Sequence, residues 1–354
     1  MQPTTNPFDG AHDLFHYAEA LEYGEIHIKV DKATGLRAII AIHSTKNGPA
    51  LGGCRCIEYT NNYSGIKDAL RLGQAMSYKA AILGLPHGGG KSVLLKPKSI
   101  NDRRAYFHTF GKFVDSLGGR YIAAVDSGTS IQDMDYIVEQ TRYVASHSGL
   151  NGDPSPATAV GVFRGIQAAV KFKLGKDNLD NLHIAIQGVG NVGYELAKLL
   201  HQAGARLSVT DISADAVKRC VDEFNATAIP ADKIYEIECD IYAPCALGAT
   251  LNDQTIPQLK ATIVAGSANN QLGQLVHGEQ LHNRGILYAP DYVINAGGLV
   301  YAATRYAHGA NTNPAEIEHK INNIYDTLMN IFNRAHNEHQ PTSTIVDIMA
   351  AERL

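Results

Sequence analysis

Lys79, Lys91 and Asp126 are the residues of this chain whose types and settings offer acid–base chemistry. Lys91 ends the run "GLPHGGGK", and Lys79 precedes it in "AMSYKAA". One ammonium can hold a substrate carboxylate as a point charge. The other, crowded by a like charge and partly desolvated, acquires a lowered pKa and can serve as acid or base. Asp126 closes the strand-like "RYIAAVD" just before "SGTS", where a rigid strand would present a carboxylate on a loop. The glycines before Lys91 admit two readings: a turn that presents the ammonium to a ligand, or a flexible loop ending in a solvated lysine. Each of these side chains taken singly fits a structural role; their combination with a hydride carrier gives them weight.

That carrier is indicated further along the chain. In "LHIAIQGVGNVGYELAKLLHQAGARLSVTD", Gly188, Gly190 and Gly193 form GxGxxG directly after an apolar strand and at the head of a helix. The first glycine permits a tight turn, the second admits a pyrophosphate to the backbone, and the third lets helix and strand pack closely. With Val189, Asn191 and Val192 they make a phosphate loop whose helix N-terminus attracts negative charge. The next strand ends in Asp211, near the place of a ribose-binding carboxylate. A carboxylate there accepts from the ribose hydroxyls and repels a 2′-phosphate, which predicts NAD rather than NADP.

The elements that position these groups fall into two halves. The first reads as a strand over "LRAIIAIHS", a helix over "SGIKDALRLGQAMSYKAAILG" ending at Gly84, a helix around "RRAYFHTFGKFVDSLGG" and the strand "RYIAAVD". The passage "GLNGDPSPATAVGV" reads as a hinge. From Leu182 the strands "LHIAIQ", "ARLSVTD", "CDIYAP", "ATIVAG" and "GILYAP" alternate with helices, the pattern of a parallel, doubly wound sheet. After Pro314, Ile317, Ile321, Ile324, Leu328 and Ile331 form one helical stripe. The expected organisation is α/β in two domains. Residues 1–148 form an α/β substrate and oligomerisation domain, and 149–334 a Rossmann-type NAD-binding domain across a cleft. The C-terminal helix, 335–354, is expected to pack back on the first domain.

Composition narrows the classes of function. The chain has 354 residues, 45% hydrophobic and 19% charged, with a formal net charge of −4. That balance gives no basis for nucleic-acid or anionic-membrane binding, and no segment has the unbroken apolar length of a membrane span. The start, "MQPTTNPFDGAHDLF", lacks the pattern of a secretory leader. Cys54 and Cys56 have no matching pair elsewhere, so neither a zinc site nor a disulfide framework is expected. The cytoplasm is the expected location.

Nine blocks in order carry a family resemblance: "GPALGGCR", "DALRLGQAMSYKAA", "GLPHGGGKSV", "RYIAAVDSGTSIQDMDYI", "GDPSPATAVGV", "QGVGNVGYELAKLL", "CDIYAPCALGA", "AGSANNQL" and "YAPDYVINAGG". Over roughly residues 12–335 the chain resembles the glutamate/leucine/phenylalanine/valine dehydrogenase family, most of all its leucine-specific branch. The resemblance implies that Lys79 binds the α-carboxylate of an amino acid. Lys91 would polarise the carbonyl and activate water, and Asp126 would exchange protons with the substrate amine. It implies Asn270 at the substrate, and Asn269, Asn295 and Thr158 along the nicotinamide side. The reaction would be reversible oxidative deamination of an L-amino acid to its 2-oxo acid, ammonium and NADH. Such relatives are homo-oligomers, octamers or smaller.

For side-chain selectivity, the resemblance places Leu51, Gly53, Ala124, Leu299 and Ala302 at the pocket. Glutamate-using relatives carry a lysine where this chain has Leu51, which cannot pair with an anion. An apolar side chain is therefore favoured, since burying an unpaired carboxylate costs several kcal/mol, and the resemblance to the leucine-specific branch implies a branched-chain one. Leu299 resembles the phenylalanine-specific type, while Ala302 stands in place of a valine; these opposite changes in bulk keep an aromatic preference as the alternative. His87 of "LPHGGGK" departs from the commoner "LNLGGGK", as a proton partner near the lysine or a packing histidine. From another class, a catalytically silent NAD-binding regulator would share the scaffold, but the retained Lys79, Lys91 and Asp126 argue against it.

Overall fold

The computed structural model describes residues 14–150, 153–246 and 248–354. They form two compact units. One comprises the residues before Asp153 with Arg305–Asn311 and Arg353–Leu354; the other comprises Asp153–Thr304 and Thr312–Glu352.

The first unit runs α1 (Leu14–Ala20), β1 (Glu25–Asp31), β2 (Leu36–Ser44), β3 (Ala50–Ile57), α2 (Asn62–Ile82), β4 (Gly88–Leu95), α3 (Arg103–Asp115), β5 (Tyr121–Val125) and α4 (Ile131–Val138). Its sheet has the order β1-β2-β4-β3-β5. The β1–β2 and β2–β4 pairs are antiparallel, while β3 lies parallel to both β4 and β5. Side chains alternate between the two faces. Ala50, Cys54, Tyr121 and Ala123 pack with Phe107, Phe110, Met134 and Ile137 of α3 and α4. On the other face Ile39, Ala41 and Val93 meet Ala69 and Leu70 of α2. Register pairs Ala41 with Lys91, Leu51 with Gly89, and Gly53 with Ala124, so Lys91, Leu51, Gly53 and Ala124 all share the α2 face.

Neither sequence reading of "GGGK" describes what forms there. Gly88, Gly89, Gly90 and Lys91 are buried within β4, inside the sheet, and none of these glycines has a positive φ. Their reason is proximity. A Cβ on Gly89 would lie 1.9 Å from the Ser77 nitrogen of α2, and one on Gly88 would lie 1.8 Å from the Ser44 carbonyl oxygen. The absence of side chains lets a helix and a neighbouring strand lie directly on this backbone. Gly84 does behave as expected: it follows α2 in the left-handed conformation, φ +63°.

The second unit runs α5 (Ser155–Leu174), β6 (His183–Gln187), α6 (Asn191–Gln202), β7 (Arg206–Thr210), α7 (Ala214–Phe224), β8 (Thr227–Ala228), β9 (Ile241–Pro244), β10 (Ile263–Val264), α8 (Val276–Asn283), β11 (Leu287–Tyr288), α9 (Asp291–Ile294), α10 (Gly297–His308, as far as Thr304), α11 (Pro314–Glu338) and α12 (Thr342–Ala351). The strand order is β11-β10-β9-β6-β7-β8, and every pair is parallel. The five strands read from sequence correspond to β6, β7, β9, β10 and β11; the short β8 is additional. Strand order reverses between β6 and β9, which makes their carboxyl ends the topological switch point of the sheet.

The C-terminal elements differ from the expectation. The stripe of α11 packs on α5 within the second unit, where Ile324 and Leu328 fill the space left open at Gly161 and Gly165. α12 is fastened to β11 of the same unit, with Thr342 Oγ1 donating to the Tyr288 carbonyl at 2.7 Å. Of residues 335–354, only Arg353 and Leu354 group with the first unit. The apolar stripe reports that the helix is half-buried, and any matching groove satisfies it; the glycines of α5 supply that groove. The expected hinge contains the division at Asp153, but α5 begins inside it at Ser155. Residues 151 and 152 lie outside the described residues. Among the described residues no helix is long and apolar enough to cross a membrane.

Candidate active site

In the first unit, Lys91 Nζ forms an ion pair with Asp126 Oδ2. Lys91 is only 6% exposed, an ammonium enclosed by the sheet and α2 rather than a solvated one. Gly53 explains how the pair fits. A Cβ at Gly53 would lie 2.7 Å from Asp126 Cβ and 3.0 Å from Lys91 Nζ. β3 is bare at this point because the ion pair lies against its backbone.

Asp126 follows β5 directly, as the sequence indicates, and its loop is firmly held. Its backbone N–H donates to Thr129 Oγ1 at 3.0 Å, while that hydroxyl donates to the Cys54 carbonyl at 2.9 Å. Gly128, at φ +79°, lies so close to β3 that a Cβ would be 1.9 Å from the Cys56 carbonyl oxygen. α4 begins just beyond, its N-terminus closed by reciprocal bonds between Ser130 and Asp133. Arg103 donates to both oxygens of Asp133 at 2.6 and 2.8 Å and to the Gly128 carbonyl at 3.1 Å. The carboxylate is therefore presented by a loop fastened on both sides.

Sequence reasoning did not find Arg55. Its Nε lies 3.3 Å from Asp126 Oδ2, and its Nη1 donates to Asp68 Oδ2 of α2 at 2.9 Å. Tyr59 donates to the same Asp68 oxygen at 2.6 Å. The signal was available in the spacing: Leu51, Gly53 and Arg55 alternate along β3 and share a face, but β3 was not recognised as a strand. Burial lowers the Lys91 ammonium from lysine's ordinary pKa; Asp126 opposes this shift and Arg55 adds to it. Burial acts to raise the Asp126 carboxyl, but the charges of Lys91 and Arg55 outweigh it and leave the pKa below the usual carboxylate value. The like charge pressing on Lys91 is thus Arg55. Lys79 occupies the last turn of α2 and is half-buried, and His87 is buried between α2 and β4. Leu51 is fully buried, and Ala124 is half-buried near the end of β5.

In the second unit the GxGxxG residues take three distinct roles. Gly188 turns at φ +95°, where a Cβ would meet Ala246. Gly193 packs so that a Cβ would lie 2.0 Å from the Gly188 carbonyl oxygen. At Gly190, by contrast, a Cβ would find nothing within 4 Å. The open side belongs to the glycine expected to face a pyrophosphate. Gly190 also caps α6 without any side-chain bond to the helix's first N–H groups, and Asn191 and Val192 begin that helix. Asp211 accepts from the Val189 N–H at 2.8 Å and from the Ser213 N–H at 2.9 Å, which fixes the carboxylate beside the loop. This arrangement fits a dinucleotide.

Of the remaining predicted residues of this unit, Asn295 and Asn269 meet directly. Asn295 donates to Asn269 Oδ1 at 2.7 Å and to the Ser267 carbonyl at 3.2 Å. Gly297 and Gly298 let α10 approach α5 so closely that a Cβ on Gly298 would lie 2.5 Å from Thr158 Oγ1. Asn270 sits in the left-handed region, φ +50°, and its carbonyl accepts from the Ala249 N–H at 2.6 Å. Leu299 and Ala302 are half-buried on α10.

Comparison with known proteins is consistent over both units. Residues 22–143 match the family described as Glu/Leu/Phe/Val dehydrogenase, dimerisation domain. Residues 149–217 and 207–354 match the family described as Glutamate/Leucine/Phenylalanine/Valine dehydrogenase. The chain is 49% identical to a leucine dehydrogenase of Geobacillus stearothermophilus over 97% of its own length and 93% of that protein's. It is 41% identical to a valine dehydrogenase of Streptomyces albus, covering 99% and 97%. The crystal structure of L-tryptophan dehydrogenase from Nostoc punctiforme superposes with a TM-score of 0.86 at 39% identity, covering 96% of this chain and 98% of that one.

Proposed function

Because the chain belongs to the glutamate/leucine/phenylalanine/valine dehydrogenase family, we propose that it catalyses L-amino acid + NAD+ + H2O ⇌ 2-oxo acid + NH4+ + NADH + H+ on branched aliphatic amino acids. The ion pair of buried Lys91 with half-buried Asp126, set against Gly53, is the observation that carries this reading. When bound, the dinucleotide supplies a hydride acceptor; Gly188, Gly190, the N-terminus of α6 and Asp211 would hold it.

The protein's own groups divide the remaining work. Lys79 takes the substrate carboxylate as a point charge. Ionised Asp126 accepts a proton from the substrate ammonium, since only the neutral amine can push hydride from Cα. Loss of hydride leaves an iminium ion. Lys91, its proton affinity reduced by burial, removes a proton from water as that water attacks the iminium carbon. Asp126 then returns a proton to the nitrogen; as the C–N bond breaks and ammonia leaves, the hydroxyl formed from water gives up its proton to the regenerated Asp126 carboxylate, leaving the 2-oxo acid. Asp126 and Lys91 finally release their protons to solvent, one of which makes ammonia ammonium. Exclusion of bulk water keeps these charges strongly coupled.

Asp211 supports NAD over NADP, because its fixed carboxylate would repel a 2′-phosphate. Leu51 supports an apolar side chain, since nothing at that position pairs with a distal carboxylate. The relatives act on leucine, valine and tryptophan by name, and Leu299 with Ala302 keeps an aromatic substrate as the second reading. We place the enzyme in the cytoplasm as a homo-oligomer. Its five cysteines are all unpaired, as a reducing compartment allows, and the matching family description names a dimerisation domain.

Initial rates of NADH oxidation with saturating ammonium across 2-oxo acids test the proposal. The highest kcat/KM is expected with 4-methyl-2-oxopentanoate and 3-methyl-2-oxobutanoate. Preference for phenylpyruvate would transfer the assignment to the aromatic type, and equal turnover with NADPH would remove the role given to Asp211. Lys91→Ala is expected to lose about 10²- to 10⁴-fold in kcat while still binding NADH. Near-normal turnover would sink the mechanism.

A further inference from the structure

Arg55 is a second cation on Asp126 for which the mechanism above has no use. We propose that Arg55 is a positioning residue of this reaction: it keeps Asp126 ionised and in place whatever the charge on Lys91, and so sets the pH at which the pair becomes competent. The inference rests on the dehydrogenase reading and deepens it.

The geometry gives Arg55 two ends. Nε lies 3.3 Å from Asp126 Oδ2, while Nη1 is tied at 2.9 Å to Asp68 Oδ2, the same oxygen to which Tyr59 donates. A guanidinium anchored at its far end cannot swing out to solvent without breaking that second bond. Asp126 Oδ2 therefore lies between two cations of different character. Lys91 must lose its proton to act as a base, and at that moment Asp126 would, but for Arg55, be a half-buried carboxylate with the Ser127 N–H but no counter-charge, which favours its protonation. Arg55 never titrates in the working range, so its charge remains when that of Lys91 is gone.

The sign follows from the same contacts. A positive charge beside the pair disfavours the ammonium form of Lys91 and favours the ionised form of Asp126, so removing it raises both proton affinities. Other groups around the pair do not reverse this. Asp68, on α2, is an anion already engaged by Arg55 and Tyr59. Cys54 of β3 and Tyr121 of β5 are held neutral by burial, their pKa values pushed upward. Lys79 on α2 is common to every variant compared.

The test is the pH profile of kcat/KM for amino acid oxidation in wild type, Arg55→Gln and Arg55→Lys, with NADH affinity as the check on folding. In Arg55→Gln the acid limb is expected to move upward by about one pH unit or more. Arg55→Lys, which keeps the charge but not the fork, is expected to restore its position while kcat stays reduced. The pH dependence of Lys91 labelling by an amine-reactive reagent, read by mass spectrometry, should move with the limb even where turnover is too slow to follow. A limb that stays fixed in Arg55→Gln while kcat falls equally at every pH overturns the proposal and leaves Arg55 a packing role. Arg55→Met, which fills the space of the stem without charge, replaces the glutamine variant should that fail to fold. If neither uncharged variant folds, a limb displaced by about one unit or more in Arg55→Lys overturns it instead. Wild-type protein that turns over no amino acid overturns the dehydrogenase reading and this inference together; an active wild type with an unmoved limb in Arg55→Gln overturns this one alone.

Discussion

Two glycine clusters serve the two halves of this protein, and they need glycine for different reasons. After β6 the cluster is a turn: Gly188 takes φ +95°, and Gly190 faces open space. On β3 and β4 the cluster is extended strand, in which Gly52, Gly53, Gly88, Gly89 and Gly90 have no left-handed φ. There the constraint is contact. Gly52 abuts the Gly90 carbonyl, Gly89 abuts α2, and Gly53 abuts the Lys91–Asp126 pair. A glycine cluster next to a chemical group therefore does not by itself indicate a mobile loop. The same letters can mark backbone packed directly against backbone.

The comparison breaks first where backbone meets backbone. In Gly89→Ala the new methyl would lie 1.9 Å from the Ser77 nitrogen, and neither strand nor helix can yield without disrupting the sheet. The expected outcome is loss of soluble folded protein, read by expression and circular dichroism; a stable, active variant would show that "GGGK" is a loop after all. Gly53→Ala is milder because its clash is with side chains. The fold should survive, but Asp126 and Lys91 must shift by a sizeable fraction of an ångström, which is expected to lower kcat by about 10²-fold. A thermal transition near wild type with that loss of turnover separates Gly53 from Gly89.

Where sequence was informative follows from the same physics. The second sheet was legible because each parallel strand is buried on both faces and reads as a short apolar run; β8, with Thr227 and Ala228 exposed, offered no such run. Lys91, Asp126, Gly53 and the phosphate loop were located by motif, and the structure does bring the first three into contact. β3 and β4 were not legible, because glycine and cysteine in "ALGGCRCI" and "GGGKSVLL" mask the alternation that marks a strand. With β3 went Arg55, whose partners Asp68 and Asp126 are distant in sequence and meet it only through the fold. The destination of α11 was likewise hidden, since its groove is made by glycines of α5 that have no apolar signature.

Gly190→Ala probes the other cluster. A Cβ there meets nothing in the protein, so the thermal transition should be unchanged. If the backbone at Gly190 faces a pyrophosphate, the methyl intrudes on the ligand alone. NADH binding is then expected to weaken about tenfold, roughly 1.4 kcal/mol, with kcat at saturating cofactor nearly retained. Unaltered NADH affinity would mean that the open side of Gly190 is not where the dinucleotide lies.

Gly84→Ala isolates the remaining reason for glycine. It sits at φ +63° beyond the end of α2, and a Cβ there would touch nothing within 4 Å. Contact is therefore absent and only backbone conformation is left. Holding alanine in the left-handed region costs about 1–2 kcal/mol, which corresponds to a fall of a few degrees in Tm for a unit of this size. Catalysis should not change, because Lys91 is positioned by its place in β4 and by Asp126, not by the turn that leads into the strand. A selective loss of kcat in Gly84→Ala, with Tm unmoved, would return the glycine run to the role of an adjustable loop and erase the distinction between the two clusters.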